Sequence, residues 1–162
     1  QFTREAERAA RSGRALSLIL CDIDHFKVIN DTLGHASGDE VLRHFGTRLQ
    51  RLVSGECSWI ARVGGEEFAI VLPGVALPEA TETARALCLG IAAEPFRIGG
   101  TSLEVTASFG LCGVDRVFPQ ETDFAEHAFK AADEALYRSK RSGRNRVTTT
   151  TLPVPDLLCA CG

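Results

Sequence analysis

Apolar and polar residues follow one another along this chain in runs of changing period, and the changes divide it into elements. Residues 2–11 set Phe2, Ala6, Ala9 and Ala10 among charges, a helical spacing that stops at Gly13 and reads as the end of a connecting helix. Residues 16–23 form an apolar run ending in acid, which suits a central strand buried on both faces. Asp22 and Asp24 then share one side of it by the period of two. A short helix is expected over 25–33, with Asp24 a candidate N-cap and Gly34 the stop. The next helix carries Val41, Leu42, Phe45, Leu49 and Leu52, a sustained helical stripe.

Two strand-like runs, 58–63 and 68–72, flank Gly64-Gly65, and two glycines between such runs signal a hairpin. Pro73-Gly74 makes a turn into a helix over 78–94, with proline at its first position and Ala80, Ala84, Leu87 and Ile91 inward. Residues 96–98 and 103–111 flank Gly99-Gly100, a second hairpin. Its longer arm sets Leu103, Val105, Ala107 and Phe109 against polar partners, which predicts one solvated face. A last helix is expected over 123–142, stopped by Gly143, then an edge strand over 144–149. The threonine run and two prolines make 149–162 a flexible tail.

This order predicts an α+β domain with a ferredoxin-like βαββαβ core: one mostly antiparallel sheet, helices on one side, and an extra hairpin. In that topology the first strand lies beside the glycine hairpin, so Asp22 and Glu66 can converge.

Composition narrows the classes. At 162 residues, 44% hydrophobic and 24% charged, the chain fits one domain with a sizeable core. A net charge of −3 speaks against a nucleic-acid partner, so any anionic ligand must be met by local cations. The longest apolar run, 15–21, is broken by Ser17 and too short to span a bilayer, and no signal-peptide pattern opens the chain; a cytoplasmic domain is expected. Beginning at Gln1 without any methionine, it reads as a fragment that lacks an upstream sensor or regulatory region. Of the six cysteines, Cys21, Cys57, Cys88 and Cys112 fall within or beside apolar patterns as small hydrophobes, and no Cys-x-x-Cys appears. A reduced protein follows.

Two polar clusters carry candidate chemistry. Glu66 and Glu67 leave the glycine pair, and since neighbouring strand residues point to opposite faces, at least one should reach a site. Glycine lets a ligand approach the main chain there. Taken alone, a hairpin with solvated glutamates is the commoner explanation. The second cluster is Asp22-Ile23-Asp24-His25-Phe26-Lys27 followed by Asn30, His35, Gly38 and Asp39. One or two carboxylates plus substrate phosphates make a Mg²⁺ site, which Asp22 with Glu66 would supply. Lys27, one helical turn past the strand end, is within reach of phosphate. The plainer alternatives are Asp24 as a cap, Asn30 and Asp39 as turn or cap residues, and His35 as a surface histidine. Arg138, Lys140, Arg141, Arg144 and Arg146 complement a helix dipole, but Lys140 and Arg144, four apart, would share a face if the helix continues.

The stretch Asp22-Ile23-Asp24-His25-Phe26-Lys27-x-x-Asn30-Asp31-x-x-Gly34-His35-x-x-Gly38-Asp39, then Arg62-x-Gly64-Gly65-Glu66-Glu67-Phe68, then Ala132-Asp133-x-Ala135-Leu136-Tyr137-x-x-Lys140-x-x-Gly143-Arg144-Asn145 closely resembles the GGDEF domain of diguanylate cyclases. The resemblance spans about residues 2–148, and glutamate in the third position of the signature is a variant that active members use. It implies a palm-like, nucleotidyl-cyclase fold. It also implies Mg²⁺, with Mn²⁺ as a substitute, held by Asp22, the backbone carbonyl of Ile23 and Glu66, with Glu67 a further ligand. Asn30 and Asp39 would read guanine, Phe26 and His35 would line its pocket, and Gly64 and Gly65 would let the nucleotide approach. Lys140 and Arg144 would hold the terminal phosphates, and Lys27 would offset charge in the transition state.

The reaction implied joins two GTP into cyclic di-GMP with loss of two pyrophosphates, each 3′-hydroxyl attacking the α-phosphorus of the other nucleotide. Glu66 would be the activating acid residue. One domain would hold one GTP, so a second copy of the domain is needed in a transient two-fold dimer. The family's inhibitory Arg-x-x-Asp is replaced by Gly55-Glu56-Cys57-Ser58, so weak or no product feedback is expected there. The family's turn motif before the first helix is also missing, as a fragment would have it. The rival is a non-catalytic GTP or cyclic di-GMP binding module acting through protein partners. Its mark would be a degenerate signature, whereas residues 64–68, Asp22, Lys27 and Lys140 are intact.

Overall fold

In the computed structural model, which describes residues 2–53, 58–117 and 123–152, the apolar run Leu16–Ile23 forms β1, and all 8 of its residues are buried. Helix α1 (Phe2–Ser12) precedes it, and α2 (Phe26–Leu33) and α3 (His35–Leu52) follow. The hairpin β2 (Trp59–Gly64) and β3 (Glu67–Pro73) leads to α4 (Leu77–Ala92), the short hairpin β4 (Phe96–Ile98) and β5 (Thr101–Leu103), then β6 (Ala107–Val114), α5 (Phe124–Arg141) and β7 (Val147–Thr151). The main sheet has 5 strands in the order β2-β3-β1-β6-β7, with β4 and β5 paired apart from it. Strand β1 runs antiparallel to both β3 and β6, and only β7 lies parallel to its neighbour. This is the mixed α+β, mostly antiparallel architecture that the pattern predicts.

The helices do not lie on one side. Ile19, Cys21 and Ile23 of β1 pack with Phe26, Phe45, Leu87 and Ile91 from α2, α3 and α4. Leu16, Leu18 and Leu20 pack with Ala9 of α1 and Ala128, Ala132 and Leu136 of α5. A strand that is apolar at every position needs cover on both faces, and the expectation of one helical layer conflicts with that.

Strand β6 corrects the expectation of a wet face. It is buried at all positions but Val114, because Ser108, Gly110 and Cys112 are not solvated residues but small ones under α5. A Cβ on Gly110 would lie 2.2 Å from both the Ala132 carbonyl oxygen and the Leu136 nitrogen. Those are helix backbone atoms, so Gly110→Ala must push α5 off the sheet. The expected cost is about 2–3 kcal/mol from overpacking. A denaturant midpoint shifted by less than a quarter of that would show that α5 can move.

Two boundaries also differ from the pattern. The arm expected over 103–111 divides into β5, paired with β4, and β6 in the main sheet. At the other end, Thr149, Thr150 and Thr151 pair with Leu111, Cys112 and Gly113, so three residues assigned to the tail are strand. Threonine's β-branched side chain fits a pleated surface, and this outweighed the polar composition. Cys21, Cys88 and Cys112 are free and buried; Cys57, Cys159 and Cys161 lie outside the described residues, as do Gly55 and Glu56. Among the described residues, no helix is long and apolar enough to cross a membrane.

Candidate active site

The first cluster forms where β1 ends. Asp22 stands directly opposite Glu67 in the β1–β3 ladder, which puts both on the face that carries α5. The next residue, Ile23, donates its N–H to the Glu66 carbonyl at 3.4 Å, tying the hairpin tip to the strand end. Asp22 and Glu66 therefore meet at one corner of the sheet. The tip itself is Gly65-Glu66, with Gly65 at φ 46° and Arg62 Nε donating to its carbonyl at 2.8 Å. Gly64 is the last residue of β2, beside a register shift between Arg62 and Gly64, and not part of the turn. That bulge twists the tip. Neither Gly64 nor Gly65 has any atom within 4 Å of where a Cβ would sit, so the main chain there is open to an approaching molecule.

Burial pushes the Asp22 carboxyl up to about 6. Lys140 opposes the shift and the charges of Glu66 and Glu67 add to it. The Lys140 ammonium lies 2.7 Å from Asp22 Oδ2, so it is the carboxylate, not open solvent, that receives this cation in the free domain. Burial wins over the ion pair because Asp22 is only 5% exposed while two further carboxylates share its surroundings.

The second group sits on α2 and α3. Phe26 is buried in the core layer beneath them, Lys27 is exposed in the first turn of α2, and Asn30 is half-buried. A Cβ on Gly38 would fall 1.8 Å from Asn30 Oδ1, so the Asn30 amide rests on the bare backbone of α3 one residue before Asp39. His35 and Asp39 are exposed and four apart on α3. Neither is a loop residue, since α3 begins directly after Gly34.

Asp24 departs from its expected part. The residue before α2 is His25, held at φ 58° with no side-chain cap. The buried Asp24 carboxylate instead accepts from Thr106 Oγ1 at 2.8 Å, Ser108 Oγ at 2.7 Å and the Asn145 N–H at 3.0 Å. These partners lie more than eighty positions along the chain, beyond any local pattern.

The expectation that Lys140 and Arg144 share a helical face fails as well. Helix α5 ends at Arg141, and Arg144 takes a left-handed turn at φ 62°, with Asn145 at φ 44°. The sequence signal was present in Gly143, which marks a helix end. Lys140, in the last turn, and Glu67 line a cleft of about 450 Å³ with Leu136 and Tyr137.

The donor set at this corner fits a divalent cation shared with a ligand. Among the described residues, no three His, Cys, Asp or Glu side chains are grouped to hold an ion alone. Mg²⁺ does not ask for such a cage: it takes one or two carboxylates and fills its other positions with water and phosphate oxygens. A buried acid crowded by two others, with a lysine ammonium on it, is a place where positive charge is already drawn.

An α+β palm-like domain with acids collected at the end of its central strand is the class that fold and site define. The chain matches the family described as "Diguanylate cyclase, GGDEF domain" over residues 1–146, and it belongs to that family. It is 40% identical to the diguanylate cyclase DgcP of Pseudomonas aeruginosa over 147 residues, 91% of this chain and 21% of that protein. Against the response regulator PleD of Caulobacter vibrioides it is 41% identical over 152 residues, 91% of this chain and 32% of the other. The chain thus spans between a fifth and a third of the length of these relatives.

Among solved structures, the GGDEF domain of DgcB from Caulobacter crescentus in complex with c-di-GMP superposes with a TM-score of 0.82 at 34% identity, covering 91% of this chain and 85% of that one. The active GGEEF domain of a diguanylate cyclase from Vibrio cholerae gives 0.79 at 34% identity, covering 94% and 93%. Its named signature is the one at Gly64-Gly65-Glu66-Glu67-Phe68 here.

Proposed function

We propose that this domain is a diguanylate cyclase, joining two GTP molecules into cyclic di-GMP and releasing two pyrophosphates. The observation that carries the reading is the corner where Asp22, Glu66 and Glu67 share one electrostatic environment at the end of β1. In this reading GTP spans the sheet end. Its guanine lies against α2 and α3, where Asn30 rests on Gly38 and Asp39 follows, with Phe26 and His35 beside it. Its phosphates reach toward Lys140 and Arg144 beyond α5. The open backbone at Gly64 and Gly65 gives the nucleotide room between them.

Asp22, the Ile23 carbonyl and Glu66 would hold Mg²⁺, with Glu67 in reserve. When bound, the ion supplies Lewis-acid polarisation of phosphate oxygens and makes a coordinated hydroxyl more acidic. Glu66 orients and accepts the proton of the 3′-hydroxyl, which attacks the α-phosphorus of the second nucleotide as pyrophosphate leaves. Lys27 offsets the negative charge that gathers on phosphate. For Lys140 to grip phosphate it must leave Asp22, so the ammonium moves from the acid to the substrate as the site loads. Each domain brings one GTP, and two domains meet face to face. Without an Arg-x-x-Asp before the hairpin, product feedback through that site is weak or absent.

Incubation of the domain with GTP and Mg²⁺ at rising protein concentration, with product followed by chromatography, tests this. The rate is expected to rise faster than linearly with protein, about fourfold per doubling while dimers are scarce. Nucleotide binding without product at any concentration would leave a recruiting module in place of an enzyme, and strictly linear dependence would remove the two-domain complex.

A further inference from the structure

The buried Asp24 carboxylate has no place in the chemistry above, yet it joins three parts of the fold. Its backbone N–H donates to the Thr106 carbonyl at 2.9 Å, and its side chain accepts from Thr106, Ser108 and the Asn145 N–H. Both carboxylate oxygens are thus engaged by hydroxyl and amide donors, two residues after Asp22. Asn145 follows Arg144 in a run of two left-handed residues. A side chain with a Cβ resists that conformation by about 1–2 kcal/mol per residue, and an arginine side chain, unlike that of asparagine, is not suited to offset this by bonding its own backbone. Something must hold Arg144 there. The Arg144 N–H donates to the Ser139 carbonyl at 3.1 Å from the side of α5, the Arg144 carbonyl accepts from Arg146 Nε at 3.0 Å, and Asp24 takes the next N–H from the side of β1, which alone of these ties the turn to the acid corner.

We propose that Asp24 is a positioning residue for the phosphate end of the site: by accepting the Asn145 N–H it fixes the left-handed Arg144-Asn145 turn, and through it the placement of the Arg144 guanidinium. This rests on the reading that Arg144 contacts phosphate. The link matters because Asp24 leaves the strand that carries Asp22 and Ile23. One short segment then sets the acid corner directly and the phosphate grip through a single hydrogen bond, keeping the two in register.

The role asks for acceptors, not for charge. An asparagine at 24 can turn its Oδ1 toward Thr106 and Asn145 and its Nδ2 toward the Ser108 hydroxyl, which accepts as well as donates. Asp24→Asn therefore keeps all three contacts, while Asp24→Ala loses them. The probe is 3′-deoxy-GTP with Mg²⁺, which lacks the attacking hydroxyl and reports binding alone. Asp24→Ala is expected to bind it about tenfold more weakly, Asp24→Asn within about twofold of the parent, and Asp24→Ala combined with Arg144→Ala no more weakly than Arg144→Ala alone. Amide hydrogen exchange at Asn145 in the nucleotide-free domain should quicken in Asp24→Ala and not in Asp24→Asn. Should Asp24→Ala fail to fold, Asp24→Ser, whose hydroxyl stands one bond short of the carboxylate oxygen that accepts the Asn145 N–H, should give the same pattern.

Additive losses in the double variant, or Asp24→Asn as weak as Asp24→Ala, would overturn the proposal, the latter by showing that charge is what counts. Unchanged exchange at Asn145 would refute the clamp itself. Normal binding by Arg144→Ala would refute the phosphate assignment beneath it, and the nucleotide-free exchange data tell these two failures apart.

Discussion

Glu66→Gln is expected to lower the rate of cyclic di-GMP formation by about 10³-fold while leaving measurable affinity for GTP. The substitution keeps the shape of the side chain and cannot disturb the main-chain bond from the Ile23 N–H to the residue-66 carbonyl that ties the hairpin tip to β1. The tip also keeps its Arg62 to Gly65 contact. What is lost is one anionic oxygen pair beside Asp22. An amide is neither a base for the 3′-hydroxyl nor a strong ligand for a hard cation, so chemistry should fail before binding does. Chromatography gives the first quantity and 3′-deoxy-GTP titration the second. Turnover at the parent rate would take Glu66 out of the mechanism.

Asp22→Asn should abolish activity and yet make the cation-free domain more stable. Burial holds the folded carboxyl up to about 6, above its ordinary range near 4, so the folded state grips the proton more tightly than the unfolded chain does. The stability belonging to the neutral acid is fully present below about pH 4, drains away as pH rises, and is gone above about 6. Asparagine never ionises. Its gain over the parent should therefore be absent near pH 4 and complete above pH 6, about 2–4 °C in Tm for roughly 1 kcal/mol. Lys140, freed from its partner, is one-third exposed and can turn to water. A variant less stable than the parent at pH 7 would mean that the ion pair with Lys140 outweighs the burial of Asp22.

The acid corner and the α2–α3 residues were legible because they are local. Residues 22–39 and 62–68 each gather their polar groups in one short stretch of chain, and the predicted strand order placed β1 beside the hairpin. What failed to show was long-range. Asp24 looked like a cap because caps are found by neighbours, while its true partners sit at 106, 108 and 145. Gly110 and Ser108 looked like a wet face because small residues score as polar or neutral, although their use is to admit a helix. Arg144 looked helical at its spacing from Lys140, although Gly143 between them had already ended α5.

Strands β6 and β7 lie parallel, with α5 crossing between them, and the Lys140 and Arg144 cations fall at the end of that crossover. Chain order has a consequence for biosynthesis. The carboxylates of Asp22, Glu66 and Glu67 leave the ribosome long before either cation, and the Arg144 turn stands just ahead of Val147, which pairs with Phe109. A nascent polypeptide therefore carries its acids with only Lys27 and Arg62 near them in sequence, and would complete the proposed grip on triphosphate with the final strand.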